Sequence, residues 1–235
     1  MDPKVDKWQR WIEAIEREVI ALNHYRRCNR VFEAIVNANP LLLPGNAYLD
    51  YFRDVYATYA AMAVRRHAKA HRDAISLAGL LRDLAENPTT LSRSWLRTFY
   101  ERPSPLVGIV YPPEIAHFLA DSTYRQFADA SGERLDAKRI ETQLASLDDA
   151  TRDVVELVDR EIAHHDPRRS AGTATFSQLD GAIEMVTALT SDYTRLITGK
   201  ANLSMVPLDV THALDVFKTP WIDKDKPPSI HPGDI

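Results

Sequence analysis

The sequence predicts an all-α protein, a bundle of long amphipathic helices followed by a short disordered C-terminal tail. Three observations predict it. Apolar residues recur at spacings of three and four over long stretches, the period of a helix with one buried face. Glycine is scarce, at eight in 235 residues, and the prolines fall between the periodic segments rather than inside them. The one run that reads as a strand, Leu106 to Tyr111, has no partner elsewhere in the chain.

The first helix is expected to start with Asp2 as cap and Pro3 in the first turn, where a missing backbone N–H costs nothing. Trp8, Trp11, Ile12, Ile15, Val19, Leu22, Tyr25, Phe32 and Ile35 then carry the period up to Asn39-Pro40. Cys28 shares spacing with Tyr25 and Phe32, so a core role is expected for it. A second helical stretch runs from Ala47 to Glu86, with Tyr48, Phe52, Val55, Tyr59 and Met62 on one face. Its apolar pattern lapses between Arg65 and Asp73, which predicts a kink or break with Asp73 capping a second helix there.

Asn87-Pro88 ends that stretch, and a short helix holds Trp95, Leu96 and Phe99. Beyond the proline-rich segment from Arg102, helices are expected over 113–129 and from Asp136 to His164, the latter with a possible interruption between Ser146 and Asp149. A further helix runs from Ser177, its expected cap, to Thr198, stopped by Gly199-Lys200. A small helix over 210–217 closes the domain. One helical domain is thus expected over 1–222. The tail, 223–235, is rich in proline and holds only isolated apolar residues, a composition that predicts disorder.

Hydrophobic residues make up 45% of the chain, enough for a core, and mean hydropathy is −0.31. No run approaches the roughly 18 consecutive apolar residues of a membrane helix, and the N-terminus is charged where a signal peptide is apolar. A cytoplasmic location and no membrane contact are expected. Cys28 is the single cysteine, which excludes an internal disulfide and a multi-cysteine metal site. Net charge is −4, so no general attraction to nucleic acid is expected, and DNA is not an expected partner. The cations are nonetheless uneven: Arg65, Arg66, Lys69, Arg72, Arg82, Arg93, Arg97 and Arg102 crowd one stretch. Arginine there suits phosphate, carboxylate pairing or a solvated helix face.

Familiar catalytic signatures are absent. There is no glycine-rich phosphate loop and no His-Glu-x-x-His zinc motif. Two Glu-x-x-His steps, Glu161 with His164 and Glu114 with His117, echo di-iron bundles. The further acids such a site needs would come from Glu13, Glu16 and Glu18, which read as the wet side of the first helix. No metal and no cofactor are expected.

The segment Val158-Asp-Arg-Glu-Ile-Ala-His-His-Asp-Pro167 ends a long helix with two histidines flanked by acids and an arginine. Its Ile-Ala-His-x-Asp resembles the active-site helix of the HEPN superfamily. Three further stretches resemble the AbiU-like branch of that superfamily. They are Trp11-Ile-Glu-Ala-Ile-Glu-Arg-Glu-Val-Ile; Met62-Ala-Val-Arg-Arg with Ile75-Ser-Leu-Ala-Gly-Leu-Leu; and Phe176-Ser-Gln-Leu-Asp-Gly-Ala-Ile with Leu196-Ile-Thr-Gly.

The resemblance implies a HEPN-like helical bundle and a metal-independent RNase, or a degenerate relative, of a defence or toxin system. It implies a homodimer whose motifs, an arginine followed after four to six residues by a histidine, face each other across a groove. Four pairs have that spacing: Arg17 with His24, Arg65 with His71, Arg66 with His71, and Arg160 with His165. Arg160 and His165 are the pair on the resembling helix end. If His164 is instead the working histidine, Leu157, Val158 and Asp159 stand where its arginine is expected. The implied catalytic set is therefore Arg160 with His165 or His164, and Asp159 or Asp166 to orient the ring. Arg65, Arg66, Lys69, His71 and Arg72, from the cation-rich stretch, are the expected RNA-binding residues. The other reading of the same residues is a non-catalytic helical module that binds RNA, nucleotide or a partner protein. His164 and His165 would then serve the helix C-terminus, whose dipole favours them.

Overall fold

The computed structural model describes residues 2–39, 46–71, 74–102, 111–162, 174–200, and the single residues Met205 and Asp215. Among these the architecture is an all-α bundle of seven α-helices, as the periodicity predicts: α1 Pro3–Ala38, α2 Ala47–Ala68, α3 Leu77–Glu86, α4 Arg93–Tyr100, α5 Pro113–Arg125, α6 Ala137–Leu157 and α7 Phe176–Thr198. An isolated bridge between Ala128 and Leu135 is the sole strand-like pairing among the described residues. No helix among them is long and apolar enough to cross a membrane.

α1 begins as expected, with the Lys4 N–H donating to the Asp2 carboxylate at 2.8 Å and Pro3 at the first helical position. At 36 residues it is about 54 Å long. Its buried face is Val5, Trp8, Ile12, Ile15, Val19 and Leu22. α7 lies along it and also packs on α6. It closes the larger core, in which Trp8 and Ile12 meet Leu80, Leu81, Leu84, Tyr124, Tyr193 and Leu196.

Three aromatic donors of this core find acceptors. The Trp8 indole donates to Asp83 at 3.0 Å, Tyr124 donates to the Leu91 carbonyl at 3.0 Å, and Tyr193 donates to Gln143 at 2.6 Å. Farther along α1, buried Arg26 reaches Asp180 and Glu184 of α7, each at 2.6 Å. α7 ends at Gly199, which adopts φ +58° as a left-handed cap.

Several expectations are corrected. The break after Arg65 is real, with α2 stopping at Ala68. The cap of α3 is Ser76, whose hydroxyl accepts from the Gly79 N–H at 3.1 Å; Asp73 lies outside the described residues. α7 is capped by Thr175 rather than Ser177. Thr175 accepts from the Gln178 N–H while the Gln178 side chain accepts from the Thr175 N–H, a reciprocal pair that outcompetes the lone serine. α6 runs through Ser146–Asp149 without interruption, because Leu144, Leu147 and Thr151 keep the apolar register. α5 stops at Arg125, four residues early.

Glu16 is not on a wet face. It is 5% exposed and receives Lys200 at 3.2 Å. Cys28 is half-buried beside His24, and burial pushes its thiol above the usual range. The face of α2 carrying Tyr48, Phe52, Val55, Tyr59 and Met62 is exposed; Leu49, Ala60, Ala61, Ala63, Val64 and His67 are buried instead. The expected strand over 106–111, the small helix over 210–217 and the tail 223–235 lie wholly or almost wholly outside the described residues.

Candidate functional site

The small residues of α2 determine where the candidate site forms. Ala60, Ala61, Ala63 and Val64 leave room for close approach, and α2 packs on Val154 and Val158 at the end of α6 in a second, smaller core. Immediately beyond Leu157, the helix widens into one π-helical turn, Val158–Ile162. Such turns re-aim side chains and recur at functional sites. Here the turn carries Asp159 and Arg160.

Arg65, from the last turn of α2, donates its Nε to the Asp159 carboxylate and ties the two elements together. Arg160 pairs with Glu156 at 2.6 Å, and Arg152 with Asp149 at 2.7 Å. Between them is an open cleft of about 290 Å³ lined by Lys69, Asp148, Arg152, Val155, Glu156, Asp159 and Arg160. Its wall therefore alternates guanidinium or ammonium groups with carboxylates. Cations so placed neutralise charge on a phosphoryl oxygen, and the carboxylates beside them hold each fork in a fixed direction.

The neighbouring residues of α2 divide between two sides. Arg66 reaches Glu18 of α1 at 3.1 Å, away from the cleft. His67 between them is 1% exposed, and neither ring nitrogen has a hydrogen-bond partner; Nε2 is 3.3 Å from Glu18 but poorly aligned with it. Burial pushes its pKa from 6.5 down to about 4, with Arg66 adding to the depression and Glu18 opposing it. His71 is exposed beyond the end of α2. Of the expected RNA-binding set, Arg65 and Lys69 thus belong to the cleft region, Arg66 and His71 do not line it, and Arg72 lies outside the described residues.

Of the expected catalytic set, Asp159 and Arg160 are brought together on the π-helical turn. His164, His165 and Asp166 lie outside the described residues, as do the side chains of Glu161 and Ile162. The other Glu-x-x-His step is elsewhere on the surface, where His117 and Glu101 pair at 2.7 Å. Among the described residues no three metal-ligating groups gather in one place. Sequence reasoning missed Asp148, Arg152, Glu156 and His67. The first three fall on one side of α6 with Asp159 and Arg160, at spacings of three and four, so the signal was present. His67 carried none, because its burial depends on packing against α1.

The family model described as AbiU2, a HEPN family, matches residues 6–220. No curated protein and no solved structure matches the chain. The match spans α1 to α7 and includes the cleft, the π-helical turn and the two histidines just beyond it: the chain belongs to the HEPN AbiU2 family.

Proposed function

We propose that the protein is a metal-independent endoribonuclease of a cellular defence or toxin system, working at the cleft between α2 and the end of α6. The observation that carries this reading is the placement of Arg160. It sits on a π-helical turn, on a cleft it shares with Lys69 and Arg152, five residues before His165. In the proposed reaction the RNA 2′-hydroxyl attacks the adjacent phosphorus and the 5′-oxygen of the next nucleotide leaves. His165, or His164 in the other register, moves the protons, and Arg160 neutralises charge gathering on the non-bridging oxygens. Asp159 is already held by Arg65, so the orienting carboxylate falls to Asp166.

The test is cleavage of single-stranded RNA in excess EDTA. Arg160→Ala and His165→Ala should each lower the rate by about a hundredfold or more with the fold intact. Collapse in His164→Ala with His165→Ala unaffected moves the chemistry to the other histidine. Undiminished cleavage in all three variants, or no cleavage by the parent protein, refutes the proposal.

A second reading is favoured by a specific observation, the ion pairing of the cations near the cleft. Arg65, Arg152 and Arg160 each hold a carboxylate, which suits a module that binds RNA, nucleotide or a partner protein without cutting. RNA binding that survives without cleavage, and weakens in Arg65→Ala, would support that reading.

A further inference from the structure

A second cavity, of about 50 Å³, lies between α2, α6 and α7, lined by Ala57, Ala61, Val154, Leu157, Phe176 and Leu179. It shares one line of α2 with the cleft. Ala57, Ala61, Arg65 and Lys69 follow one another in steps of four residues, about 6 Å each. The two alanines line the cavity, Arg65 grips Asp159, and Lys69 lines the cleft. Among the described residues Thr175 brings the one polar side chain to the cavity wall, and the helix cap already uses it. Its hydroxyl accepts from the Gln178 N–H at 3.2 Å and donates to the Gln178 side-chain oxygen at 2.9 Å.

Phe176 opens α7 but takes no part in capping it. Thr175 and Gln178 form the capping box, and Ala174 and Leu179 hold the staple positions, both packed in the smaller core. Phe176 instead lies parallel to Tyr56 of α2, with ring planes 3° apart and centroids at 6.4 Å. Tyr56 packs against the smaller core, which fixes the direction of the pair, yet Phe176 is 52% exposed. A ring held in one direction beside an apolar cavity is a stacking surface, and every nucleobase offers it a π-face. The cavity has room for only a few water molecules, so it takes the edge of a flat ring and not the whole of one.

We propose that Phe176 is the stacking surface for one nucleobase of the RNA whose phosphates lie in the cleft, with the edge of that base in the cavity. The inference rests on the RNA-cleaving reading of the cleft and adds a base subsite to it. In sequence, Leu157 precedes and Phe176 follows the stretch that holds His164 and His165, so the subsite serves a nucleotide close to the bond that is cut. Lys69 and the arginines of the cleft take the phosphates, a division between cations and an aromatic ring that suits a single strand. Because the Thr175 hydroxyl is committed to the helix cap, the subsite reads ring area and not hydrogen-bonding edges. Purines stack over more area than pyrimidines and are therefore preferred, with little distinction between adenine and guanine.

Binding of fluorescently labelled 2′-O-methyl oligonucleotides to the full chain tests this, because they carry phosphates and bases but cannot be cut through the 2′-oxygen. Phe176→Leu keeps the cavity apolar and removes the π-face. It should bind an adenine oligomer about tenfold more weakly, and Phe176→Tyr should bind it like the parent. An abasic oligomer of the same length should bind the parent and Phe176→Leu alike, which separates a lost base contact from a disturbed fold. The parent should favour the adenine over the uracil oligomer, and Phe176→Leu should narrow that difference. Equal binding of the adenine oligomer by parent and Phe176→Leu, or an equal loss on the abasic oligomer, would overturn the subsite whatever the cleavage results. The full pattern in a protein that cuts no RNA would uphold the subsite and remove the RNase reading alone. No binding of any oligomer by the parent would overturn both.

Discussion

His67→Leu isolates one term in the protein's stability. His67 is 1% exposed with both ring nitrogens unpartnered, and burial holds its pKa at about 4 against 6.5 in an unfolded chain. The folded-state pKa is lowered, so between those values the unfolded chain binds the proton and the folded chain does not. Folding stability must therefore fall as pH drops from about 6.5 towards 4. From pH 7 to pH 5 the loss from this residue is about 2 kcal/mol. The depressed carboxylates Glu33, Asp83, Asp121 and Asp180 lose their contributions mainly below about pH 4.5, as they protonate, so they leave this window largely clear.

Leucine has nearly the volume of the imidazole and leaves no buried nitrogen without a partner. The replacement should hold or raise stability at pH 7, by up to about 1 kcal/mol, and remove most of the loss at pH 5. Urea unfolding of both proteins at the two pH values measures this. Equal pH dependence in parent and variant would refute the reasoning and place a protonated or hydrogen-bonded histidine at this position.

Three further outcomes derive from the packing. Gly199→Ala should cost about 2 kcal/mol, because φ +58° disfavours a side chain and the new Cβ would lie 2.8 Å from the Phe99 ring; calorimetry checks it. Trp8→Ala should cost about 3–5 kcal/mol in urea unfolding, since it empties the centre of the larger core and leaves Asp83 without the indole donor. Arg65→Ala should cost about 1 kcal/mol or less, as befits a partly exposed ion pair, yet speed hydrogen exchange in the π-helical turn it fastens.

Much of the fold was legible because helices of this length are set by local pattern. Trp8, Ile12, Ile15, Val19 and Leu22 announce their shared face by spacing alone, and Asp2, Pro3 and Gly199 mark their own termini. Less legible was which apolar face is buried. The α2 stripe from Tyr48 to Met62 is more hydrophobic than the alanines that pack, but small residues bury because they permit helices to approach. Periodicity gives a face without giving its partner. The site shows the same division. The helix end carrying Asp159 and Arg160 stood out from its residues, whereas the grip of Arg65 on Asp159, across 94 positions, and the solitary burial of His67 depend on tertiary packing.

The most direct measurement is of the product ends made from a defined RNA in excess EDTA. Attack by the 2′-hydroxyl with proton transfer by a histidine leaves a 2′,3′-cyclic phosphate and a 5′-hydroxyl, and the same ends should appear about a hundredfold more slowly with Arg160→Ala. Products bearing a 5′-phosphate, cleavage only when a divalent ion is restored, or equal rates in parent and Arg160→Ala would contradict a metal-independent site at this cleft.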